Sequence, residues 1–83
     1  MSYQIKLTPT AVQQIQKLAY NVKQQIAAKL QELTFNPRPD DAARLNGVED
    51  LYKVRVEQYR IIYQIQEDSL SLTVVKAAHP RDY

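Results

Sequence analysis

Eighty-three residues, with 11 lysines and arginines against 9 carboxylates, make one domain over residues 1–83 and leave no room for a second lobe. The absence of cysteine excludes disulfides, thiolate catalysis and cysteine-ligated zinc, and His79 is the only histidine, so no metal and no cofactor is expected. A net charge of +2 does not by itself argue for nucleic acid; with no apolar run of about 18 residues and no signal-peptide pattern at the start, a cytoplasmic protein without a membrane partner is expected.

The first residues alternate Tyr3, Ile5 and Leu7 with Gln4 and Lys6, which predicts a short strand. Thr8 and Pro9 end it. Thr8 is a natural N-cap, since its hydroxyl accepts from an exposed backbone N–H, and Pro9 suits the first helical position. Val12, Ile15, Leu18, Val22, Ile26, Leu30 and Leu33 then recur at three- and four-residue steps, the stripe of a helical segment that faces a sheet. Asn21 followed by Gln24 resembles a weak capping box, which predicts a break near Tyr20 and Asn21 and a helical hairpin.

Asn36, Pro37, Pro39, Asp40 and Asp41 stop the helical pattern, and Asn46-Gly47 marks a turn. In the strand that follows, Tyr52, Val54 and Val56 alternate with Lys53, Arg55 and Glu57, giving one apolar and one charged face. Arg60 opens the next β-rich run, Ile61 to Ile65, after a reversal too short for anything but a hairpin. Leu70 to Ala77 is the last strand, reached through Glu67, Asp68 and Ser69. The expected fold is α+β: an N-terminal strand and a two-helix hairpin packed on a largely antiparallel four-stranded sheet.

If these strands pair, Lys53, Arg55, Arg60, Lys76 and Arg81 converge, and such a cluster suits phosphate. Lys53, Arg55 and Lys76 are candidate RNA-binding residues. RNA carries its own nucleophile in the 2′-hydroxyl, and fixed cations can stabilise charge developing at phosphorus without a metal. Imidazole is the side chain suited to carrying protons near neutrality, so His79 is a candidate proton carrier. The same residues also have plain structural readings. Lys53 and Arg55 suit a solvated strand face, Arg60 suits an ion pair with Glu57 or Glu67, and Tyr59 and Tyr63 suit sheet packing. Glu57 would weaken the positive field and is read as a modulator.

Leu45-Asn46-Gly47, Tyr52-Lys53-Val54-Arg55-Val56, Tyr59-Arg60-Ile61-Ile62-Tyr63 and the closing His79-Pro80-Arg81-Asp82-Tyr83 resemble the RelE/ParE family of toxins from bacterial toxin–antitoxin modules. The likeness spans essentially the whole chain. RelE-type members are endoribonucleases that cut messenger RNA on the ribosome; ParE-type members poison DNA gyrase. The resemblance implies a cognate antitoxin, the ribosome and mRNA as partners. By position it assigns catalytic roles to Lys53, Arg55 and Arg60 and, in the tail, to Arg81 and Tyr83, although Pro80 stands where many relatives carry arginine. A non-catalytic RNA-binding domain would use the same basic face.

Overall fold

The computed structural model describes residues 2–45, 50–79 and 81. The elements run β1 (Gln4–Leu7), α1 (Pro9–Gln16), α2 (Tyr20–Phe35), β2 (Ala43–Arg44), β3 (Leu51–Val56), β4 (Tyr59–Gln66) and β5 (Ser71–Ala78), with a 3-10 turn at Glu67–Ser69 before β5. The sheet order is β1-β5-β4-β3-β2, with β1 parallel to β5 and every other pair antiparallel. The architecture is α+β as expected, but the sheet has five strands rather than four. The extra one, β2, is only two residues long and pairs Ala43 with Lys53 and Arg44 with Tyr52, too short to leave a period-two signature in the sequence.

Local chemistry explains the helix ends. Thr8 Oγ1 accepts from Ala11 N at 3.1 Å, and Pro9 occupies the first turn. The break between helices falls at 17–19, slightly ahead of Tyr20 and Asn21. The capping box does not form: α2 starts after Ala19 with no side-chain cap, and Gln24 Nε2 donates instead to Tyr20 Oη at 2.8 Å. The two helices cover one face of the sheet. Ala11, Ile26 and Leu33 meet Val54, Val56, Ile61, Tyr63, Ile65, Leu72, Val74 and Ala77 in one core. Within the anticipated stripe Ile15, Leu18, Val22 and Leu30 are half-buried against that core, whereas Val12 is 37% exposed and Ala11, one residue earlier, is fully covered. The helix is rotated so that its smallest apolar residue meets the sheet.

Leu33 is fully buried. Leu33→Ala is therefore expected to cost about 2–5 kcal/mol, the usual range for truncating a buried leucine where the surroundings cannot collapse. Urea unfolding followed by circular dichroism measures this, and a loss below about 1 kcal/mol would contradict the assignment of α2 to the core.

Two tight reversals bring β3, β4 and β5 together. Val56 pairs with Tyr59 across Glu57 and Gln58, and Glu57 takes φ 55° to make the turn. Leu70, at φ 50°, caps the 3-10 turn just ahead of β5. Among the described residues no helix is long and apolar enough to cross a membrane. The Asn46-Gly47 turn lies outside the described residues.

Candidate functional site

Side chains directly opposite on paired strands share a face. Tyr52, Val54 and Val56 pair with Tyr63, Ile61 and Tyr59 on the helix-covered side. The remaining parity puts Lys53 opposite Ile62 and Arg55 opposite Arg60 on the other face. Ile62 in turn pairs with Lys76 on β5, and Arg60 with Ala78. Two rows result: Arg55 beside Arg60, and Lys53 and Lys76 on either side of Ile62. Like charges directly opposite destabilise a strand pair, and an anion bound between them reverses the sign of that contribution.

Lys53, Arg55 and Arg60 line a cleft of about 190 Å³ with Asp41 and Ala43. One wall is the segment after α2, and it is well anchored. Tyr63 Oη donates to Pro37 O at 2.8 Å, Arg38 Nε donates to Tyr52 Oη at 2.9 Å, and a second Arg38 nitrogen pairs with Glu67 Oε1. The Arg38 guanidinium also lies over the Tyr52 ring at 5.3 Å, and Tyr52 stacks on Tyr63 with centroids 5.9 Å apart. Glu67 is thus committed to Arg38 in this structure. Burial pushes the Tyr63 phenol well above its ordinary value, so it stays protonated at neutral pH and acts as an anchor.

Lys29 Nζ bonds Asp41 Oδ2 at 2.9 Å and Glu32 Oε2 at 3.1 Å, tying the cleft's acidic rim to α2. The bond from Lys29 holds the Asp41 carboxyl below the usual carboxylate range, and the same bond raises Lys29. A depressed carboxylate contributes stability above its unfolded value near 3.9 and loses it as pH falls through the lower folded value. Asp41 is about half exposed, its side chain 54% accessible, so Lys29→Met is expected to cost less than about 1 kcal/mol. Thermal melts at pH 7 and pH 3 check this: the gap between wild type and variant should narrow in acid, and an unchanged gap would show that the pair contributes nothing.

His79 stands at the end of β5 in a cleft of about 280 Å³ bordered by Gln14, Lys17 and Leu18 near α1, its ring edge-on to Tyr59 with centroids 6.1 Å apart. Arg81 is exposed, and its N and Nε lie 3.3 and 3.4 Å from His79 Nδ1. Arg81 is thus a neighbour of His79, and His79 borders the cleft beside α1. Pro80, Asp82 and Tyr83 lie outside the described residues. Sequence reasoning missed Arg38 and Asp41. Neither has a periodic signal, because both sit among prolines in a segment whose course is set by its anchors.

The family described as ParE toxin of type II toxin–antitoxin system, parDE, matches residues 5–82. An Escherichia coli RelE-like toxin protein is 36% identical over 77 residues, covering 90% of this chain and 80% of the relative. The mRNA interferase toxin RelE of Escherichia coli is 30% identical over the same shares. The toxin fold is matched in the intact Escherichia coli RelBE toxin–antitoxin complex, with a TM-score of 0.85 at 26% identity over 94% of this chain and 96% of that one. The archaeal RelE–RelB complex from Pyrococcus horikoshii matches with a TM-score of 0.85 at 25% identity over 95% and 96%. With its helix-backed sheet and a family match along nearly its whole length, the chain belongs to the RelE/ParE family of toxins of type II toxin–antitoxin systems.

Proposed function

We propose that this toxin is a ribosome-dependent endoribonuclease that cuts mRNA in the cytoplasm and is held in check by a cognate antitoxin. The observation that carries the reading is the Arg55/Arg60 pair, set face to face on adjacent strands with Lys53 in the same cleft. In the reaction the 2′-oxygen bonds to the adjacent phosphorus as its proton leaves, the bond to the 5′-oxygen breaks, and that oxygen takes up a proton. Negative charge grows on the non-bridging oxygens in the transition state. Arg60, half-buried and fixed in β4, meets it with a planar pair of donors, while Lys53, Arg55 and Lys76 hold the flanking phosphates.

Relatives named mRNA interferase and relatives seen with antitoxin RelB support the activity and the partner. The acidic complement of the basic face is the chemistry expected of the antitoxin segment that covers it. The match to ParE toxins supports a second reading, inhibition of DNA gyrase by protein contact without catalysis. One experiment separates them. Purified toxin is added to a translating extract and, separately, to a gyrase supercoiling assay. Cleaved mRNA with unimpaired supercoiling is the expected result; blocked supercoiling with intact mRNA would move the protein to the gyrase branch.

A further inference from the structure

On β5, Leu72 and Val74 face the helices and are fully buried. Strict alternation from Val74 would turn Lys76 into the core and Ala77 outward. The register does the reverse. Tyr63 pairs with Val74 and Ile62 with Lys76, so Val75 is an extra residue, a β-bulge, and Lys76 emerges level with Ile62 while Ala77 is the buried one. Bulges re-aim side chains in this way and occur often beside active sites.

This bulge lies where β1 stops, at the pairing of Leu7 with Val74. Beyond it the edge of β5 would present unpaired backbone groups. Thr8, already the cap of α1, donates its hydroxyl to Val75 O at 2.8 Å and its N–H to Val74 O at 3.0 Å. Gln14 Oε1 accepts from Ala77 N at 2.8 Å. The two side chains therefore hold the carbonyl just before Lys76 and the N–H just after it.

We propose that Thr8 and Gln14 are positioning residues of the basic face, clamping the Val75 bulge so that Lys76 stands beside Ile62, opposite Lys53 and one row from Arg55 and Arg60, as its fourth phosphate-binding cation. The inference rests on the ribonuclease reading for the identity of the anion, an RNA phosphate, and on the geometry alone for the clamp.

The test is a salt titration of binding to two probes, an uncleavable 2′-O-methyl heptaribonucleotide and inorganic tripolyphosphate, with folding checked by circular dichroism. Lys76→Gln should reduce the slope of log affinity against log salt by about 0.7 for the oligonucleotide, the share of one phosphate on a single strand. Thr8→Val combined with Gln14→Leu should reduce it similarly, and adding both changes to Lys76→Gln should reduce it no further. Thr8→Ser, which keeps the hydroxyl, should match wild type. A general loss of stability would not alter a slope in this selective way. If the combined variant does not fold, Thr8→Val against Thr8→Ser reads the same difference. A wild-type slope in a folded Thr8→Val variant, alongside a reduced slope in Lys76→Gln, would overturn the clamp. Tripolyphosphate binding without oligonucleotide binding would sink the RNA reading while the Thr8 variants still judge the clamp; binding of neither probe would overturn both.

Discussion

Arg60→Ala is expected to lower mRNA cleavage by about 100-fold or more while leaving the protein folded, the scale seen when one preorganised donor is removed from a developing oxyanion. The position explains why. Arg60 is half-buried in β4, opposite Arg55, and the inner residues Val54 of β3, Ile61 of β4 and Ala77 of β5 are closed into the core. A guanidinium on so firm a base changes little in position as charge develops, which makes its contribution one to the transition state more than to binding. Arg60→Lys should recover little of the loss, because a point charge does not reproduce a planar fork of donors. Rates in a translating extract, with circular dichroism of each variant, give the answer. A folded Arg60→Ala protein that cleaves at the wild-type rate would remove Arg60 from the mechanism.

Affinity for RNA is expected to fall about 50-fold between about 50 and 200 mM salt, which follows from about four phosphate contacts, each contributing about 0.7 to the slope on a single strand. The four are those of Lys53, Arg55, Arg60 and Lys76, which share one face by register. Lys53→Ala and Arg55→Ala should each flatten the dependence by about one contact and weaken binding at low salt more than at high salt. Fluorescence anisotropy with the uncleavable oligonucleotide measures it. A response below about fivefold over that range would mean that the face contacts at most one or two phosphates, leaving specific cleavage to some other surface.

Much of this fold was legible from the chain, and the legible parts are those fixed locally. Thr8 and Pro9 announce the helix start because a cap and a first-turn proline act within one turn. The alternation of Tyr52, Val54 and Val56 with Lys53 and Arg55 announces β3, because period two puts apolar residues on one side only. The parallel pairing of β1 with β5 was not legible, since it joins residues nearly seventy apart, as in the Thr8–Val75 bond. The convergence of Lys53, Arg55 and Arg60 followed from a single hairpin and needed no long-range information. Lys76 required the bulge, which no periodicity reveals: a regular strand from Val74 would have buried it. The placement of His79 was not legible either, because a residue after the last strand can turn to either side of the sheet. Contact with Tyr59 and the α1 cleft decides the side, and neither is written in the local sequence.

The proposed chemistry leaves a signature that binding or gyrase inhibition would not. If the 2′-oxygen attacks the adjacent phosphorus, the upstream fragment ends in a 2′,3′-cyclic phosphate and the downstream fragment begins with a 5′-hydroxyl. The most direct measurement is therefore end-group analysis of mRNA cut by the purified toxin on programmed ribosomes, repeated with a single 2′-deoxynucleotide at the cleavage position. Cyclic phosphate and 5′-hydroxyl ends, with cleavage abolished by the deoxy substitution, are the predicted result; 3′-hydroxyl and 5′-phosphate ends, or unimpaired cleavage of the deoxy substrate, would contradict it.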